Sequence, residues 1–247
     1  MSDAAAGNGR PGARPTVKPG GWWFDLLMVG LFVALTVALA KGHLLRLDQD
    51  VADWVDAHRP AVLYWPARVL NYLGQGGQVL MPVSIVLAAI LARRQRSVRP
   101  LIVFLAAFVL TYITIGPLKL WFSRAAPHSE QPTKLELFNH QLPPGEYAVG
   151  YPSGHVANAL VWYFVIALLL GGLVPLAPRV RAAIRIVPPI VVFTTTTYLA
   201  FHWITDSVAG LFLGLVLARL MARVPWETLP LPRRLEARST PQPAARA

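Results

Sequence analysis

Between Glu146 and Glu227 the chain holds one acidic residue, Asp206, and two histidines, His155 and His202. His202 and Asp206 are four residues apart in HWITD, a spacing that puts both on one helical face within mutual reach. A carboxylate that engages one imidazole nitrogen fixes the tautomer and leaves the other nitrogen free for chemistry. His155 closes the tetrad PSGH at 152–155. Pro152 ends the preceding loop, Ser153 suits a helix N-cap, and Gly154 bares backbone amides with no side chain in the way. A hydroxyl, an imidazole and free N–H groups at a helix start form a place for a phosphate-like anion. Lys119, in PLKLWFSRAAP, adds a cation near the end of another apolar run.

Each of these has an ordinary alternative. His202 and Asp206 also suit the wet turn between two membrane helices, His155 an interfacial helix cap, and Lys119 a lysine snorkelling to headgroups. The joint pattern is harder to dismiss, because an ionisable group in or beside a membrane span is costly and is by default a functional candidate.

The elements that must bring these residues together are membrane helices. The 247 residues are 55% hydrophobic and 14% charged, against roughly 25% charged in soluble domains. Six apolar runs approach the ~20 residues needed to cross a bilayer: about Trp22–Ala40, Gln78–Ala92, Pro100–Phe122, His155–Val174, Ala182–Phe201 and Ser207–Met221. The stretch Leu44–Leu73 mixes Asp48, Asp50, Asp53 and Asp56 with Val51, Trp54, Val55, Tyr64 and Trp65, which predicts an amphipathic, partly helical segment at the interface. The fold class is therefore all-α, a polytopic bundle with an interfacial segment after the first span. Residues 1–20 are rich in Gly, Pro and Ala and read as a disordered tail, 21–224 as the membrane domain, and 225–247 as a second, basic, disordered tail.

The net charge of +11 does not point to nucleic acid, because the basic residues crowd into tails and short loops. Arg93, Arg94, Arg96 and Arg99 follow the second span, and Arg179, Arg181 and Arg185 follow the fourth. The positive-inside rule then makes both termini cytoplasmic and places Lys119, residues 151–155 and residues 202–206 on the outer face. With no cysteine, thiolate-metal and disulfide chemistry are excluded, and no residue cluster has metal-ligand spacing.

Lys119, PSGH and H-x3-D, in that order on one face, resemble the type 2 phosphatidic acid phosphatase family, relatives of the vanadium haloperoxidases. The family pattern is K-x6-R-P, then P-S-G-H, then S-R-x5-H-x3-D on a six-helix membrane core. Here PSGH is complete, His202 and Asp206 supply the end of the third motif, and Lys119 and Pro127 match the first. The resemblance spans roughly residues 22–222. Two motif arginines are replaced: Ala126 stands at the first arginine position, and Thr195-Thr196 replaces the Ser-Arg pair. Arg124 is the nearest cation to the first vacancy.

The resemblance implies an integral plasma-membrane phosphatase acting on an amphiphilic phosphate, such as phosphatidate, a phosphatidylglycerol-phosphate-like lipid or a polyprenyl (di)phosphate. Its implied catalytic residues are His202, Asp206 and His155. His202 attacks phosphorus to form a phosphohistidine, Asp206 holds its tautomer, and His155 protonates the leaving oxygen and then activates water. Lys119, Ser153, Gly154 and Arg124 are its implied phosphate contacts. Neither metal nor cofactor is required, the partners are the bilayer and the lipid phosphate, and the sequence carries no signal for oligomeric state. Losing two charge-assisted contacts costs on the order of 3–6 kcal/mol, about 10²- to 10⁴-fold in rate. The rival expectations are a silent relative that binds lipid phosphate, and a phosphotransferase using the same residues.

Overall fold

The structure, a computed structural model, describes residues 20–139 and 148–231. The expected N-terminal tail, up to residue 19, lies outside them. Among the described residues there are eight α-helices and no strand. Six cross: α1 Trp23–Ala40, α4 Met81–Gln95 with a π-helical turn Gly76–Leu80 before it, α5 Arg99–Phe122, α6 Gly154–Leu173, α7 Pro178–Tyr198 and α8 Ile204–Arg223. The 44–73 segment becomes two short helices, α2 Leu45–Ala57 and α3 Ala61–Asn71. Trp54 and Trp65 stay exposed on them, as residues at headgroup depth should.

The centre is α6. Its run GHVANALVWYFVIALLLGGL has no amphipathic stripe, so it satisfies itself only when enclosed by other helices. It packs against α4, α5, α7 and α8, and over half of its span is buried. Val161, Trp162 and Val165 are fully enclosed, whereas α1 touches the bundle mainly through α8.

Small residues let α8 approach α6 closely, the device expected where lipid supplies no hydrophobic drive between helices. A Cβ on Gly210 would stand 2.5 Å from the Ser153 carbonyl oxygen, and one on Gly214 would stand 2.9 Å from the Ala157 Cα. The Gly210 contact holds the start of α6 against α8, so it sets the distance between the PSGH segment and Asp206. Gly210→Ala is expected to cost about 1–3 kcal/mol, because backbone rather than a movable side chain must give way. A thermal-unfolding midpoint in detergent that equals the wild type would show instead that the seam opens freely.

The sequence reading starts the C-terminal tail at 225, and the structure moves that boundary. Residues 225–231 pack on the bundle: Trp226 joins the core and donates from Nε1 to the Met221 carbonyl (2.8 Å), while Arg99 donates to the Leu229 carbonyl. An apolar Trp and a buried Leu231 in an otherwise Pro/Arg-rich stretch account for the extension. Residues 232–247 lie outside the described ones.

Candidate active site

Three chain segments meet at one end of the bundle. Lys119 arrives in the last turn of α5, His155 in the first turn of α6, and His202 in the four-residue step between α7 and Trp203, the N-cap of α8. They line a pocket of about 450 Å³ together with Gly154, Ala126 and Asn158.

Ser153 is the N-cap of α6, its hydroxyl accepting from the Val156 amide at a long 3.5 Å, and its own amide donates to the Asp206 carbonyl (2.9 Å). It is fully buried behind the pocket wall rather than in it. Gly154 makes room for the lysine: a Cβ there would stand 2.9 Å from Lys119 Cε. Lys119 Nζ donates to the Val149 carbonyl.

The two imidazoles touch. His155 Nδ1 is 3.4 Å from His202 Nε2, with ring centroids 5.5 Å apart and planes at 69°. The other nitrogen of His202, Nδ1, is 3.6 Å from Asp206 Oδ2, just outside hydrogen-bond distance. His155 Nε2 and His202 Nδ1 are both buried without a hydrogen-bond partner among the described residues. Burial pushes the His202 imidazole below its ordinary value, with the Asp206 carboxylate opposing, so the ring is neutral at neutral pH. A neutral imidazole with Nδ1 toward a carboxylate presents the Nε2 lone pair to the pocket.

Asp206 is fixed from behind. Its Oδ2 accepts from the Trp203 amide (3.1 Å), closing the first turn of α8, and its Oδ1 accepts from Arg124 Nη1 (2.7 Å). Arg124 reaches further still. Nη1 also donates to the Thr205 hydroxyl (2.8 Å), Nη2 to Asp48 Oδ2 on α2 (2.6 Å), and Nε to the Leu135 carbonyl (2.9 Å). Asp48 in turn accepts from the Thr205 amide (3.0 Å) and hydroxyl (2.6 Å). Burial works against the guanidinium charge, but Asp206 and Asp48 outweigh it and raise the Arg124 pKa.

The expected residues therefore divide into two groups. Lys119, Gly154, His155 and His202 share the pocket, and Asp206 stands directly behind His202. Arg124, expected as a phosphate contact, is fully buried outside the pocket with its donors committed to two carboxylates, a hydroxyl and a carbonyl. In this geometry its guanidinium contacts Asp206 rather than the pocket. The vacant arginine positions also differ from each other. Ala126 lines the pocket, whereas Thr196 is buried away from it and accepts from the Asn71 amide (2.7 Å), with Thr195 at 3.3 Å from the same nitrogen. The second vacancy is filled and the first is open.

Sequence reasoning missed Asp48, Asn158 and His128. Asn158 is four residues after Gly154 and donates to its carbonyl (2.8 Å), so helical spacing from PSGH was a usable signal. His128, at the pocket mouth, follows the Pro127 of the first motif directly. Asp48 had no such signal, being one of four aspartates on an interfacial helix.

The sequence matches the family model described as PAP2 superfamily over residues 100–229. Two solved structures share the fold. One is the first transmembrane PAP2 type phosphatidylglycerolphosphate phosphatase from Bacillus subtilis, at a TM-score of 0.67 and 22% identity, covering 81% of this chain and 94% of that one. The other is LpxE from Aquifex aeolicus, at a TM-score of 0.50 and 22% identity, covering 72% of this chain and 96% of that one. No curated protein matches this chain in sequence.

Proposed function

The chain belongs to the PAP2 superfamily, and from that premise we propose that it is a lipid phosphate phosphatase working through a phosphohistidine on His202. The observation that carries this reading is the convergence of His155, His202 and Lys119 on one pocket with Asp206 fixed behind His202. A pocket with no chemical task has no physical need for two imidazoles and an oriented carboxylate.

In this mechanism His202 Nε2 attacks phosphorus, and the bond to the lipid alcohol, or to the leaving phosphate of a diphosphate, breaks. Asp206 stabilises the imidazolium character that develops on the ring. His155 donates a proton to the departing oxygen, then takes one from the water that releases phosphate. Lys119 and the amides at the start of α6 stabilise the equatorial oxygens. In-line attack needs phosphorus within about 3–3.5 Å of Nε2, with the leaving oxygen beyond it and in reach of His155. The 3.4 Å contact between the rings leaves no space for that, so substrate must part them by several ångströms.

The substrate class is an amphiphilic phosphate whose chains lie among the helices: phosphatidate, a phosphatidylglycerol-phosphate-like lipid or a polyprenyl (di)phosphate. The arginines at and beside the α4–α5 and α6–α7 connections sit at the bundle end away from the pocket. That charge bias supports a plasma-membrane protein with cytoplasmic termini and an extracytoplasmic pocket. The working unit is the bundle from residue 21 through the packed 225–231 segment.

Phosphate release from a panel of such lipids in detergent tests the reading. Because Ala126 borders the pocket, Ala126→Arg is expected to restore a charge-assisted contact and raise kcat/KM by about 10- to 100-fold. An unchanged kcat/KM would place that position out of reach of the phosphate. A second reading, a relative that binds lipid phosphate without turning it over, is favoured by one observation: Lys119 is the single lysine or arginine among the described pocket residues. Absence of turnover across the whole panel, with phosphate-lipid binding retained, would establish it.

A further inference from the structure

Between α7 and α8, floored by α6, a groove runs away from the histidine pocket toward the opposite end of the bundle. Its volume is about 650 Å³, in the range of small-molecule and lipid-tail sites. The walls are apolar: Leu160 and Phe164 from α6, Ile190 and Phe193 from α7, Leu211 and Leu215 from α8. Two guanidinium groups flank it, Arg185 on α7 and Arg219 on α8. Arg219 is paired with Asp25 (2.7 Å). Arg185 has no such partner. Neither it nor Arg181, one turn earlier, has a carboxylate within ion-pairing distance among the described residues. Arg185 is instead held over the Phe164 ring, 5.1 Å from its centroid, which aims it at the groove.

Arg185 lies seven residues into α7, about 10 Å along the axis from the helix start. A cation at that depth on a lipid-facing surface is costly unless an anion meets it. Asp25, the carboxylate beside Arg219, already serves both Arg219 and Arg223. The groove is thus an apolar channel with an excess of positive charge at one end.

We propose that this groove binds an anionic phospholipid from the leaflet opposite the histidine pocket, with the lipid phosphate on Arg185 and an acyl chain along Ile190, Phe193 and Leu211. The site is separate from the proposed catalytic one and does not depend on its activity. It gives the bundle a lipid that fills the gap between α7 and α8 and ties their ends together.

The test is native mass spectrometry of the full chain in detergent, titrated with phosphatidylglycerol and with phosphatidylcholine of identical chains. Wild type is expected to bind the anionic lipid about tenfold more tightly, because the choline ammonium of phosphatidylcholine offsets its phosphate and is repelled by the arginines beside it. Arg185→Gln is expected to bind the two lipids equally, and Lys119→Gln, which removes the cation of the histidine pocket, to keep the preference. Inorganic phosphate alone is expected to yield no bound species that depends on Arg185, because the acyl chain supplies the rest of the affinity at this site. Equal binding of both lipids by wild type would show that Arg185 only snorkels to the headgroups and would overturn the proposal. Loss of the preference in Lys119→Gln rather than Arg185→Gln would also overturn it, by placing the lipid in the histidine pocket. Saturable binding of inorganic phosphate that depends on Arg185 would overturn it too, by making the ligand a free anion.

Discussion

His202→Ala is expected to lower kcat for lipid phosphate hydrolysis by on the order of 10⁴- to 10⁶-fold, the scale of removing a nucleophile or its partner from a unit that acts together. The argument is geometric. His202 Nε2 faces the pocket while Nδ1 faces Asp206 at 3.6 Å, and burial keeps the ring neutral, so the lone pair is available without prior deprotonation. His155 faces the same pocket with no carboxylate paired to it among the described residues, which suits an acid and base rather than a nucleophile. The two roles separate in a leaving-group experiment. General acid catalysis contributes about 10²- to 10⁴-fold and matters least when the leaving oxygen is already a good one. An activated aryl phosphate should therefore recover most of the loss in His155→Ala and none in His202→Ala. Covalent phosphate should accumulate in His155→Ala, where water is no longer activated, and be absent in His202→Ala. Equal rescue of both variants by the activated substrate would mean that the histidines do not divide the work in this way.

Much of this site was legible because a membrane chain carries few groups able to act as acid or base. His155, His202 and Asp206 stand out in an apolar background that punishes them, and PSGH and HWITD keep them at spacings that mean something on a helix. The six spans were legible for the same reason, since each is a length of hydrocarbon-compatible sequence. What the sequence concealed is the wiring behind the pocket. Asp48 is 76 residues from Arg124 and sits among Asp50, Asp53 and Asp56, and no local feature marks it as the one that turns inward. Arg124 is close to the vacant motif arginine in the chain, and proximity in sequence suggested a substitute. Five residues past Lys119 and beyond the end of α5, its guanidinium instead points toward α2 and α8. Thr195 and Thr196 are informative only once Asn71 is seen to reach them from α3. In each case the missing information is a contact between distant segments, which neither composition nor periodicity encodes.

Arg124→Met separates that wiring from phosphate binding most sharply. The guanidinium lies between two carboxylates that are themselves fully buried, at 2.6 Å from Asp48 and 2.7 Å from Asp206. Replacing two such pairs with apolar groups throughout can be neutral, but removing one partner leaves uncompensated charge and costs about 3–5 kcal/mol. Here a single substitution strands two carboxylates, and the Thr205 hydroxyl and Leu135 carbonyl lose donors as well. Arg124→Met is therefore expected to unfold at a clearly lower temperature in detergent with no substrate present. Arg124→Lys should rescue little, because one ammonium cannot span acceptors on α2, α8 and the 135 loop with the geometry of a planar fork. Neutralising Asp48 as well, in Arg124→Met with Asp48→Asn, should recover part of the loss, since one stranded charge is removed and the Thr205 contacts can persist. A phosphate-contact role predicts the reverse pattern: unchanged unfolding without substrate, a raised KM, and partial rescue by lysine. That outcome would mean Arg124 leaves its carboxylates and turns into the pocket when substrate arrives.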